Sequence, residues 1–216
     1  MKPYMMPLTV LVLCGLFLSG CGNTTTTQDT PPTQTQTVKT PPQISPQSKE
    51  WADKGLAAYQ EYNYQEAIAN YNKAIEIDPN NYNALSGEGV ALAMRGNANG
   101  KKADVAAGID LIKKALELAP DDVASFYNLA LAYKINGQYD ESIEWFQKVI
   151  AKDPNNTWSY YGIATIYGDQ GDAAHAVEYL QKAAKLDKAN VLDAARTQSH
   201  FDKVRSDAAF QALVNS

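Results

Sequence analysis

The chain has 216 residues, and its 19 Lys+Arg against 24 Asp+Glu give a formal net charge of −5. Acidic and basic residues are interspersed after residue 48, with no basic stripe interleaved with aromatics, which argues against nucleic acid as a partner and for a soluble surface. Both cysteines, Cys14 and Cys21, lie in the first 21 residues, so the rest of the chain carries no disulfide framework.

Residues 1–20 are expected to be a signal segment. Lys2 supplies a positive start, and Leu8 to Leu18 is an uncharged apolar run about half the ~20 residues that a membrane-spanning helix needs. The run ends in Leu18-Ser19-Gly20-Cys21. These four residues resemble the bacterial lipobox, which implies lipidation at Cys21 and cleavage before it. Cys14 and Lys2 are then discarded, leaving 18 Lys+Arg against 24 Asp+Glu, a net charge of −6, and no free thiol. Attachment to the cell membrane or outer membrane, facing periplasm or exterior, is the localisation that this implies.

Residues 21–47 are expected to be the lipidated cysteine and a tether. Thr, Gln and Pro dominate, and Val38 and Ile44 are nearly the only apolar residues. Such a segment buries too little surface to offset its ordering entropy. Its prolines favour extended backbone, about 3.1 Å per residue, so ~26 residues reach up to about 80 Å.

From residue 48 a repeat is visible. Pro79, Pro120 and Pro154 each follow an apolar helical pattern, spaced 41 and then 34 residues apart. The surrounding residues agree: Asp78-Pro79-Asn80-Asn81, Ala119-Pro120-Asp121-Asp122 and Asp153-Pro154-Asn155-Asn156, with Asp187-Lys188-Ala189-Asn190 as a copy lacking the proline. Proline stops each helix, and Asn81, Asp122 and Asn156 are placed to cap the next. Between these punctuation marks lie two amphipathic helices, A and B. In the third unit helix A spans 124–133, with Phe126, Leu129, Ala130 and Tyr133 at helical spacing. Gly137 makes the turn, and helix B spans 140–150.

These residues resemble the tetratricopeptide repeat, a 34-residue helix–turn–helix. The first unit supplies Trp51, Gly55, Ala67, Tyr71, Ala74 and Pro79; the second Leu85, Gly89, Leu92, Gly108, Ile112, Ala115 and Pro120. The third supplies Phe126, Ala130, Tyr133, Ser142, Phe146, Val149 and Pro154; the fourth Tyr160, Ala164, Tyr167, Gly171, Ala176, Leu180 and Ala183. The resemblance implies an all-α, right-handed superhelical solenoid of about four units, at 48–81, 82–122, 123–156 and 157–190, with a C-terminal capping helix within 191–216. Small residues at 55, 89, 130 and 164 let helix B approach closely. The second unit is seven residues longer, and residues 96–102 read as a flexible basic loop or partly as an added turn on helix B. The tail places Phe201, Val204, Phe210 and Leu213 where a solenoid needs its last apolar face covered.

Chemistry is sparse. His175 and His200 are the only histidines, and neither has sequence neighbours at metal-ligand spacing. There is no phosphate loop, nucleophile elbow or paired-histidine zinc motif. No catalytic residue, metal or cofactor is expected, nor a small-molecule substrate. In the family, helix A lines a concave groove, which implies partner-binding positions at Tyr59, Tyr127, Asn128, Lys134, Trp158 and Tyr161. Some members hold a peptide's terminal carboxylate with paired Lys and Asn. Here Asn128 and Lys134 fit that loosely, but Asp53 and Gly162 stand where further Asn would be expected, so no such clamp is read. The expected function is a membrane-anchored, extracytoplasmic adaptor that binds a peptide segment or partner protein. Similar architectures serve in outer-membrane protein assembly, pilus secretin assembly and control of cell-wall hydrolases. The alternative is a structural, self-associating envelope protein.

Overall fold

The computed structural model describes residues 40–216. The signal segment, Cys21 and most of the tether lie outside the described residues. Ten α-helices follow one another with no strand among the described residues. They are α1 (Pro46–Gln60), α2 (Tyr64–Ile77), α3 (Tyr82–Asn99), α4 (Lys102–Leu118), α5 (Val123–Ile135), α6 (Tyr139–Lys152), α7 (Thr157–Gln170), α8 (Ala173–Leu186), α9 (Lys188–Thr197) and α10 (Ala208–Val214), with one 3₁₀ turn at Ser199–Phe201.

The boundaries have local causes. Pro46 occupies the first turn of α1, where its missing N–H costs nothing, and the Ser45 hydroxyl accepts from the Ser48 N–H. Asn81, Asp122 and Asn156 cap α3, α5 and α7 through their side-chain oxygens, and Asp187 caps α9 in the same way. Asn81 does more, because it is fully buried. Its amide donates to the Ser48 hydroxyl at 2.7 Å, and that hydroxyl donates to the Ala74 carbonyl at 2.7 Å. One side chain thereby ties α1, α2 and α3 together.

The turns between helices A and B share one hydrogen-bond pattern. Gly137 donates to Lys134 and Gln138 to Tyr133; Gly171 donates to Gly168 and Asp172 to Tyr167. This helix ending needs a left-handed residue, and Gly137 and Gly171 supply it at φ of 77° and 84°. The first unit makes the same pair of bonds, Tyr62 to Tyr59 and Asn63 to Ala58, but with Tyr62 at φ 61°.

Consecutive helices pack as antiparallel neighbours, and α1, α3, α5 and α7 also pack on one another in series. The A helices therefore make a continuous inner layer. In the first, third and fourth units the core is a ladder of equivalent residues. Tyr71 on α2 and Phe146 on α6 are buried, as is Leu180 on α8. The second pair, α3 and α4, crosses most closely. A Cβ on Gly89 would stand 2.6 Å from the Gly108 carbonyl, and one on Gly108 would meet the Gly89 carbonyl.

Two expectations are refined. Residues 96–99 continue α3 and α4 is itself a turn longer than the other B helices, so the extra length of the second unit is helix on both A and B, and only Gly100 and Lys101 connect α3 to α4. Arg95 fastens this extension by bonding Asp104 at 2.8 Å and Gln65 at 2.9 Å. The C-terminal cap is α9, the 3₁₀ turn and α10 rather than a single helix. Phe201, Val204, Phe210 and Val214 join Leu180, Val191 and Leu192 in one buried cluster that closes the solenoid.

Candidate functional groove

The inner layer and the cap enclose an open groove of about 600 Å³. On α5, Tyr127, Leu131 and Lys134 fall on one helical stripe facing it. On α7, Trp158, Tyr161, Thr165 and Asp169 do the same. Met94 and Asn97 reach it from α3, Gln198 and His200 from the cap, and Tyr62 from the first turn.

One end of the groove is polar. The Lys134 ammonium donates to the Thr165 hydroxyl at 2.6 Å and lies 3.3 Å from His200 Nε2. His200 Nδ1 lies 2.8 Å from an Asp169 oxygen. The carboxylate accepts from Nδ1–H, which leaves Nε2 to accept from Lys134. Burial pushes the Lys134 ammonium down to about 8, and the Asp169 charge opposes that fall. Among the described residues Lys134 forms no ion pair. The Thr165 proton is committed to the Gly162 carbonyl at 2.7 Å, so this hydroxyl is an acceptor for Lys134 rather than an activated nucleophile. The arrangement can hold a polar or anionic group.

The other part is aromatic. Trp158 is 46% exposed at the mouth and meets Tyr161 edge-on at 5.5 Å. Tyr161 itself is only 6% exposed, packs on Phe201, and donates its hydroxyl to Gln198 at 2.9 Å. Burial raises its phenol pKa, and Tyr127, set edge-on to Phe146, is pushed up to about 12 by burial. Both phenols are therefore neutral walls, and Trp158, beside them, is open to a partner.

The six groove positions expected from the sequence thus divide. Tyr127, Lys134, Trp158 and Tyr161 line this groove together. Asn128 lies in a separate depression of about 220 Å³ with Leu56 and Asn83, and donates to the Ser86 hydroxyl at 3.0 Å. Tyr59 does not line the groove; it is half-buried in the core against Tyr64, and burial raises its pKa. Sequence reasoning missed Tyr62, Met94, Asn97, Gln198 and His200. Tyr62 had a signal, since it stands in register with the turn glycines 137 and 171.

His175 is exposed, 2.6 Å from Asp172 and stacked on Tyr167. Among the described residues, no three His, Cys, Asp or Glu side chains converge as a metal site, and no helix is long and apolar enough to cross a membrane.

The tetratricopeptide repeat profile matches residues 121–189, and the TPR repeat profile matches residues 55–96, together more than half of the chain. The chain belongs to the tetratricopeptide-repeat family. Similar solved structures share the fold. PilF of Pseudomonas aeruginosa superposes with a TM-score of 0.58 at 18% identity, covering 77% of this chain and 72% of PilF. A thermophilic TPR protein of Thermus thermophilus gives 0.56 at 14% identity, over 72% and 85% of the two chains. MamA from Desulfovibrio magneticus gives 0.51 at 22% identity, over 66% and 76%. No curated protein sequence matches the chain.

Proposed function

We propose that this tetratricopeptide-repeat chain is a membrane-anchored, extracytoplasmic adaptor that recruits a peptide segment or partner protein into the groove between α3, α5, α7 and the cap. The observation that carries the binding half is Trp158. A tryptophan left half-exposed on a concave face, backed by a rigid buried tyrosine, is typical of residues that dominate protein–protein affinity. The groove is open along a solenoid's inner face, which suits a protein segment better than an enclosed small molecule. The anchoring half rests on sequence: Lys2, the apolar run and Leu18-Ser19-Gly20-Cys21, followed by the Thr/Gln/Pro-rich residues 22–47 that would hold the repeats off the bilayer.

Two measurements test the proposal. Cells expressing Cys21→Ala are fractionated; the variant is expected in the soluble fraction after a carbonate wash, and retention as an integral membrane protein removes the anchor. Affinity capture of the solubilised chain from its own envelope, with and without crosslinking, is expected to return a distinct protein. Recovery of the chain alone would replace the adaptor by a self-associating structural protein.

A further inference from the structure

Tyr62 occupies a position that the fold reserves for glycine. The four equivalent helix endings make the same two hydrogen bonds, and three of them use Gly100, Gly137 and Gly171. At the remaining one a bulky aromatic is held at φ 61°, where a Cβ crowds the backbone. Packing gives little in return, because Tyr62 is 78% exposed, its ring meeting the ring of Tyr64 edge-on at 6.5 Å. Backbone strain retained with no folded-state compensation points to use elsewhere. The ring borders the same groove as Trp158, so two of the large exposed apolar side chains of the described residues converge on one cleft.

Between them the groove holds an ammonium that Asp169 reaches only through His200. Lys134 directs two of its three N–H groups at the Thr165 hydroxyl and His200 Nε2 and forms no ion pair among the described residues. A desolvated ammonium with one donor left is complementary to a single carboxylate oxygen, and such a contact is strongest where water is excluded.

We infer that Tyr62 is a partner-binding residue, and that the groove takes a protein segment carrying an acidic side chain on Lys134 and a neighbouring apolar side chain held by Tyr62 and Trp158. This rests on the adaptor reading of the groove.

The test uses the full chain in mild detergent, panned against random dodecapeptides fused to phage by their C-termini, so that no free terminal carboxylate is offered. The enriched peptides are expected to place Asp or Glu beside an aromatic or aliphatic residue. Tyr62→Gly is expected to weaken the best of them at least about tenfold while its melting midpoint stays level or rises, since glycine relieves the turn. Lys134→Gln is expected to abolish the preference for the acidic residue. Full affinity in Tyr62→Gly, a collapse of its melting midpoint, enrichment without acidic residues, or no enrichment at all each overturns the inference. If Trp158→Ala alone loses the peptides while Tyr62→Gly and Lys134→Gln keep them, the groove reading stands and this inference falls. If all three variants keep them, the groove reading falls as well.

Discussion

Phe146 on α6 lies against Gly162 on α7 so closely that a Cβ at 162 would stand 2.6 Å from the ring. The same relationship joins Tyr71 on α2 to Gly87 on α3, at 2.4 Å. Each pair is a helix B aromatic seated under a helix A glycine of the next unit. Phe146 is fully buried, so Phe146→Ala should cost about 3–5 kcal/mol by leaving a cavity. Urea denaturation of the full chain checks this, and an unchanged midpoint would break the repeat register.

Filling these seats should also destabilise. Gly162→Ala pushes on a ring that can tilt, at about 1–3 kcal/mol. Gly89→Ala pushes on the Gly108 carbonyl at 2.6 Å, and main chain inside a helix cannot move aside locally. The expected order of loss is Gly89→Ala beyond Gly162→Ala, read from paired melting curves.

Asn81 predicts an inter-unit polar coupling. Asn81→Ala removes the α3 cap and leaves the buried Ser48 hydroxyl without its donor, about 2–4 kcal/mol together. Asn156→Ala, which loses a cap at a less buried junction, should cost about 1 kcal/mol. Equal losses would show that the Ser48 link contributes nothing.

Trp158 and Tyr161 touch each other yet should separate by phenotype. Trp158→Ala should leave the helical circular dichroism and melting midpoint nearly unchanged while weakening the captured partner by about 2 kcal/mol, roughly thirtyfold. Tyr161→Ala should destabilise the chain, because its ring is buried against Phe201 and its hydroxyl holds Gln198. A Trp158→Ala variant that unfolds would place that ring in the core.

Lys134 sets a pH dependence. Its folded pKa of about 8 lies below the usual 10.5, so the folded chain releases this proton before the unfolded chain does. Below about pH 8 the cost of the buried ammonium is fully present, and between about 8 and 10.5 stability rises as the ammonium is discharged. Lys134→Met should remove that rise. Melting both proteins from about pH 7.5 to 9.5 avoids the range above 10, where tyrosines buried as neutral phenols, such as Tyr127, lose stability as their unfolded forms ionise. Parallel curves for the two proteins would mean that the ammonium is solvated.

Much of this molecule is legible in its residues because the signals are local and repeated. Prolines 79, 120 and 154 stop helices, Asn81, Asp122 and Asn156 start them, and Gly137 and Gly171 turn them, each through bonds that reach only a few positions along the chain. That was enough to read the four helix pairs, the buried role of Phe146 and Tyr71, and four of the groove residues. Local propensity misled at residues 96–99. Glycine and asparagine suggested a loop, but the close crossing at Gly89 and Gly108 and the Arg95–Asp104 bridge carry α3 through them, and a glycine costs a helix only about 1 kcal/mol. At the polar end Lys134 was legible as a groove position, but its hydrogen-bond network was not. Asp169 and His200 are 31 residues apart, and Lys134 and His200 are 66 apart. They meet only because burying Phe201 and Phe210 folds the tail back over α7 and α8, and that contact exists in no segment shorter than the assembled solenoid.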